Sequence, residues 1–172
     1  KKIDNIKFII VLPDENFKKW ESLVKNFIKD DIDIIRGSRE RNLSVRNGIK
    51  HINDDSGYVA IHDGVRPFIN EDLIKKLFDE AKKRGNAIPF TTSHNSMRRV
   101  DKKNNYAVDR SSYVQIQTPQ VFKISELKKC MKNTSNYNFT DEASLFDEFD
   151  IKINLVEGSD ENIKITTEKE LN

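Results

Sequence analysis

The sequence contains one cysteine, Cys130, among 172 residues. No disulfide can therefore form within a single chain, and a thiol in the amphipathic stretch Leu127 to Met131 reads as a small packing residue. No run approaches the roughly 20 apolar residues that a bilayer crossing needs. The lysine-rich start has neither the apolar core nor the cleavage site of a signal peptide, and a cytoplasmic protein without a membrane partner is expected. An excess of one charge is also missing. Thirty Lys and Arg stand against 28 Asp and Glu, a net +2, with the signs interspersed, so nothing points to nucleic acid. Gly-x-Gly-x-x-Gly is absent, which disfavours a dinucleotide-binding dehydrogenase. Repeats and low-complexity linkers are absent too. With 36% hydrophobic residues, the chain has apolar surface for one core and is expected to form one domain over 1–172.

What is present alternates strand and helix. Ile6 to Leu12 is a nearly continuous apolar run rich in β-branched residues and closed by Pro13, the pattern of a strand covered on both faces in a parallel sheet. Asn16 to Ile28 places Phe17, Trp20, Leu23, Val24 and Phe27 at helical spacing, and Ile32 to Ile35 reads as a short strand. Ser44 is expected to cap a helix carrying Val45, Ile49 and Ile52, and Tyr58 to Ile61 forms a strand entering the turn His62-Asp63-Gly64. Asn70 caps a helix that Gly85 ends, and Ala87 to Phe90 is extended. From Thr91 to Gln117 the helical period vanishes. Lys102 to Asn105 reads as a hairpin tip, so residues 92–117 are expected to project as an arm. Ser125 is expected to cap a helix, Thr140-Asp141-Glu142 to open another through Phe149, and Ile151 to Val156 and Ile163 to Ile165 to form strands. The sum is an α/β, Rossmann-like layered domain with a mostly parallel sheet, whose ligands bind beyond the strand ends.

Three places could carry chemistry. Asp63 follows a strand directly and could hold a ribose hydroxyl or a metal ion, with Arg66 offering a fork of donors to phosphate. A plain Asp turn paired to Arg66 accounts for the same residues, and His62 reads as a turn or core residue. Gly37 to Ser44 offers Arg39, Arg41 and the amides of a helix start, where anions bind, or else is a surface loop. Lys164, between Ile163 and Ile165, points away from the face those two bury, and is either an edge lysine or part of a site.

Taken in order, these segments resemble the 2-C-methyl-D-erythritol 4-phosphate cytidylyltransferase family. The resemblance spans the chain: Ser44-Val45 to Gly48, His62-Asp63 to Arg66-Pro67, Arg99-Val100, Val108-Asp109-Arg110, and Gln117-Thr118-Pro119-Gln120. It continues through Thr140-Asp141-Glu142-Ala143-Ser144, Leu155 to Gly158, Asn162-Ile163-Lys164 and Thr166-Thr167.

The resemblance implies a nucleotidyltransferase that joins CTP to a sugar-alcohol phosphate, with Mg²⁺ and without a covalent intermediate. Such chemistry asks for positioning and charge neutralisation. By matching position, Arg110 and Lys164 would be catalytic and grip the acceptor phosphate, with Ser96 and Thr140 also on the acceptor side. Arg41, Ser44, Asp63, Arg66 and Thr118 would line the CTP side, with Asp63 on the metal. The arm would make a homodimer in which Arg110 completes the neighbour's site. The family's glycine-rich loop and its Pro-Lys-Gln segment have no counterpart here, so roughly fifty residues before Lys1 and a closing helix after Leu171 are expected in a longer working protein. Ser38, Gly64-Val65 and Asn95-Ser96 stand where the family commonly has Gly, Ala-Ala and Asp-Thr. The rival readings are a ribitol-5-phosphate cytidylyltransferase and an inactive nucleotide-binding relative.

Overall fold

A computed structural model describes residues 6–29, 31–136 and 139–171. The fold is α/β, and the chain forms two compact units. One is built from residues up to Gly57 together with Ile124–Ile151, the other from Tyr58–Lys123 together with the residues from Lys152 onward.

In the first unit β1 (Ile9–Leu12) pairs in parallel with β2 (Asp33–Arg36), Ile9 opposite Asp33 and Leu12 opposite Arg36. The intervening α1 (Phe17–Phe27) makes this a βαβ crossover. All four β1 residues are half-buried rather than covered on both faces. No α1 residue is buried, and Phe27 is 83% exposed. α2 (Arg41–His51) follows β2. Later in the chain, α4 (Ile124–Asn133) and α5 (Glu142–Asp147) bury Leu127, Cys130 and Met131 with Ala143, Leu145 and Phe146. Cys130 is thus a packing thiol, and burial pushes its pKa up.

The second unit centres on β4 (Asn86–Thr92), which pairs antiparallel with β7 (Val114–Ile116) and β8 (Gln120–Lys123) and parallel with β9 (Leu155–Glu157). β8 also pairs antiparallel with β3 (Tyr58–Ile61). α3 (Glu71–Arg84) covers this sheet with Leu73, Leu77 and Ala81 against Ala87, Val121 and Val156. It starts where Asn70 Oδ1 accepts the Leu73 N–H at 2.8 Å and stops at Gly85, whose φ of 91° favours glycine. β5 (Met97–Val100) and β6 (Asn105–Val108) form an exposed two-stranded hairpin turning at 101–104.

The pairing is mixed, not mostly parallel. After the hairpin the chain re-enters beside β4 without a crossover helix, so β7 and β8 run antiparallel to it. The strand expected over Ile151 to Val156 is confined to β9. Ahead of it the Asn86 side chain replaces the ladder, donating to Lys152 O at 2.9 Å and accepting from Asn154 N–H at 2.9 Å. Ile163 to Ile165 is irregular. Ile165 N–H reaches Val65 O at 2.8 Å, one bond where a ladder needs several. Ser44 lies inside α2 rather than capping it, bonding back to the carbonyl one turn earlier. Ser125 likewise falls inside α4, and α5 ends at Asp147, two residues short of Phe149.

Candidate functional site

The register of β3 and β8 brings Asp63 and Thr118 together. Ile61 lies opposite Gln120. Two residues further along that pairing, Asp63 meets Thr118, and the Asp63 N–H donates to Thr118 Oγ1 at 3.0 Å. Phe90 pairs with Ile116 whereas Ala87 pairs with Val121, so Thr118 and Pro119 bulge out of the ladder along β4, while Gln117 N–H still donates to Pro89 O at 2.8 Å. His62 braces the turn through both ring nitrogens, at 3.1 Å from Thr118 Oγ1 and 2.9 Å from Arg66 O. It is a turn residue, as read from the sequence.

Asp63 and Arg66 side chains are 12% and 11% exposed, with 3.9 Å between Arg66 Nε and Asp63 Oδ2. The shorter ion pair comes from far along the chain, where Lys164 Nζ lies 3.2 Å from the same oxygen. Lys164 is 44% exposed and is not an isolated edge lysine. It does not stand opposite two buried isoleucines, since Ile163 is itself exposed. Arg66 Nη1 donates to Asn162 O at 2.7 Å. Burial lowers the Arg66 pKa and the Asp63 charge raises it, leaving it below the ordinary arginine value. The turn thus gathers Asp63, Arg66, Thr118 and Lys164. A carboxylate flanked by two cations can hold one metal ion or order the cations for phosphate.

Arg110 and Ser96 sit at the base of the hairpin. Asp109 Oδ1 accepts the Ser111 N–H at 3.0 Å and opens a short 3-10 turn that carries Arg110. The exposed Arg110 guanidinium donates to His94 O, two residues before the exposed Ser96. The two expected phosphate grips are therefore held by different partners, Lys164 by Asp63 and Arg110 by the hairpin base.

The remaining candidates lie in the first unit. Gly37 is required by close approach, because a Cβ there would stand 2.8 Å from Ser44 Oγ and 2.9 Å from Leu12 O. Ser44 Oγ accepts from Ser38 N–H at 2.9 Å and donates to Glu40 O at 3.0 Å, which folds the loop onto the start of α2. Arg41 uses both Nη atoms on Glu142, at 2.9 and 3.1 Å, and is 33% exposed beside a carboxylate with no exposure. Burial pushes the Glu142 pKa above its ordinary value, against the pull of Arg41. Thr140 is exposed just before Asp141, which caps α5 through Ser144 N–H at 3.0 Å. Sequence reasoning assigned no role to Glu142, Gln117 or Asn162. Each lies in a segment that it singled out, and each proves to be a buried polar side chain with bonded partners.

The family model described as IspD, 2-C-methyl-D-erythritol 4-phosphate cytidylyltransferase, matches residues 1–172. A 2-C-methyl-D-erythritol 4-phosphate cytidylyltransferase of Porphyromonas gingivalis is 35% identical over 165 residues, covering 95% of this chain and 74% of that protein. The Bacteroides fragilis protein of the same description is 37% identical over 171 residues, covering 95% and 75%. The crystal structure of 4-diphosphocytidyl-2C-methyl-D-erythritol synthase from Anaerococcus prevotii superposes with a TM-score of 0.80 at 30% identity, covering 96% of this chain and 75% of that one. With a family match along its whole length and relatives above 30% identity, the chain belongs to the IspD family of 2-C-methyl-D-erythritol 4-phosphate cytidylyltransferases.

Proposed function

We infer that the protein transfers the cytidylyl group of CTP to 2-C-methyl-D-erythritol 4-phosphate and releases pyrophosphate. The observation that carries this reading is the Asp63, Arg66 and Lys164 cluster at the end of β3, in a chain that matches the family throughout. A phosphate oxygen of the acceptor attacks the α-phosphorus of CTP, and the bond to the bridging oxygen of the β-phosphate breaks with its electron pair. The attacking oxygen is already anionic, so no general base is needed and the protein's task is alignment and charge neutralisation.

Lys164 and Arg110 hold the acceptor phosphate, with Ser96 and Thr140 as hydroxyl contacts. By their positions in the family pattern, Arg66 and Thr118, and likewise Arg41 and Ser44, are assigned to binding the nucleotide. Arg41 acts as an oriented donor rather than a loose cation, since Glu142 already balances its charge. Mg²⁺ fits a site with Asp63 as its carboxylate, because this ion commonly takes one or two carboxylates and completes its shell with phosphate oxygens and water. Among the described residues no cluster of three or more His, Cys, Asp or Glu could hold a metal alone, which leaves that shell to the substrates. When bound, the ion would neutralise phosphate charge. A homodimer built on the hairpin, with Arg110 serving the neighbouring subunit, completes the reading. A cytoplasmic setting accords with it; among the described residues no helix is long and apolar enough to cross a membrane.

The test is pyrophosphate release by the full-length protein with CTP and Mg²⁺, offering 2-C-methyl-D-erythritol 4-phosphate and ribitol 5-phosphate in parallel. Release with the first is expected. Release only with the second moves the assignment to ribitol phosphate, and silence with both makes the protein an inactive relative.

A further inference from the structure

Beside Lys164 lies a buried side chain that the reaction above does not use. Asn162 has no solvent exposure, although its neighbour Ile163 is 42% exposed and Lys164 is open to solvent. An amide buried at such a place costs free energy unless its groups are bonded. Asn162 Nδ2 donates to Thr118 O at 2.8 Å. Its main-chain carbonyl accepts from Arg66 Nη1 at 2.7 Å and from Gln117 Nε2 at 3.3 Å. Gln117, also buried, donates from Nε2 to Ser159 O at 2.8 Å and accepts the Ser159 N–H at 3.3 Å. Both ends of the Ser159 to Asn162 segment are thereby pinned to Gln117 and Thr118, and Thr118 also holds Asp63.

Two buried atoms here, Asn162 Oδ1 and Arg66 Nε, have no hydrogen-bond partner. An apolar side chain of similar size would fill the space and remove the unpartnered Oδ1, but it would also remove the donor to Thr118 O. Packing alone therefore does not account for the amide. What the amide provides is placement. One N–H bond to Thr118 fixes the carbonyl that receives Arg66, and two residues later the chain delivers Lys164 to Asp63.

We propose that Asn162 is a positioning residue for the transfer reaction, acting through Arg66 and Lys164 to hold both cations against the Asp63 carboxylate. The inference rests on the function proposed above. Misplacement of a reacting or neutralising group by about 1 Å can cost roughly a hundredfold in rate, so the effect is readable kinetically.

The experiment uses the full-length protein and the variants Asn162→Leu, Asn162→Ala and Arg66→Ala, with each Asn162 change also combined with Arg66→Ala. Thermal unfolding identifies which variants fold, and kcat and KM are measured for CTP and for the acceptor. In a folded Asn162 variant, kcat/KM falls at least about tenfold, in the same constant that Arg66→Ala alters. In the Arg66→Ala background the same change costs less than it does alone, because the part of its effect that runs through Arg66 is already lost. Wild-type kinetics in a folded variant, or losses that multiply in full, overturn the proposal. Failure of both Asn162 variants to fold also overturns it, since the role is then structural. Silence of the wild-type protein sinks the functional reading and this inference together, whereas an active wild type with unaffected variants sinks the inference alone.

Discussion

At the Asp63 turn the charged side chains are nearly buried and bonded to residues from distant parts of the chain, whereas along the β5–β6 hairpin Val100 is 75% exposed and Tyr106 is 53% exposed. The turn is held by Thr118, Asn162 and Lys164, which lie 55, 99 and 101 positions beyond Asp63. The hairpin's bonds are local. Arg98 Nη2 donates to Asn105 O at 3.3 Å, and Asp101 Oδ1 accepts from Lys103 N–H at 2.9 Å and Asn104 N–H at 2.8 Å. The difference separates two ways of building a site. Groups that must be aligned in advance are fixed by long-range bonds, while the hairpin, carrying Arg98, Arg99 and Asn105 beside the exposed Val100 and Tyr106, is held by its own local bonds.

The largest expected effect tests the two phosphate grips against each other. Lys164→Ala and Arg110→Ala should each lower kcat/KM in the pyrophosphate assay by roughly a hundredfold to a thousandfold, the usual consequence of losing one charge-stabilising donor. The comparison sharpens on mixing. If Arg110 serves the neighbouring subunit, exchange of the two inactive variants regenerates roughly one working site in four, because half the dimers are hybrids with one complete site each. Mixtures that stay inactive place Arg110 in its own subunit's site. Next in size is Gly158→Ala. A Cβ there would collide with Gln117 Oε1 and stand 3.1 Å from Phe90 O, so urea unfolding should show a loss of about 1–3 kcal/mol.

Val100→Ser and Tyr106→Ser in the hairpin should leave the unfolding midpoint within about 0.5 kcal/mol of wild type. In sedimentation they should weaken the proposed dimer about tenfold, and an unchanged dimer would remove the hairpin from the interface. The smallest effect is at the hairpin tip. Backbone hydrogen bonds from Lys103 and Asn104 lower the Asp101 pKa below its ordinary value. Its contribution is therefore complete above the ordinary carboxylate pKa and fades as pH falls through the lowered one. An acid titration should move the Lys103 and Asn104 amide resonances in that lower window, and Asp101→Asn should abolish the movement.

Much of this arrangement was readable in advance. The strand into His62-Asp63, the Asn70 cap, the Gly85 stop and the hairpin turn all follow from local chemistry: β-branched runs, a side chain able to accept an N–H, and a residue free to take positive φ. Errors fell where bonds replaced local preference. Ser44 looked like a cap because serine favours caps, but its hydroxyl serves the Ser38 amide and the Glu40 carbonyl inside a helix that begins three residues earlier. Ile163-Lys164-Ile165 looked like a strand by alternation, yet it is irregular chain, held by the ion pair to Asp63 and by the Ile163 N–H to Glu161 O and Ile165 N–H to Val65 O bonds.

By itself the sequence determined the α/β alternation, the helix limits set by Asn70 and Gly85, and the residue types gathered around Asp63, because periodicity, capping and turn chemistry act over a few residues. Only the tertiary structure decided that β8 returns antiparallel between β3 and β4, that Glu142 takes both Nη atoms of Arg41, and that Asn162 is buried beside an exposed lysine. Those outcomes depend on partners distant in sequence, whose contacts form only once the strands have chosen their neighbours, and no local preference encodes that choice.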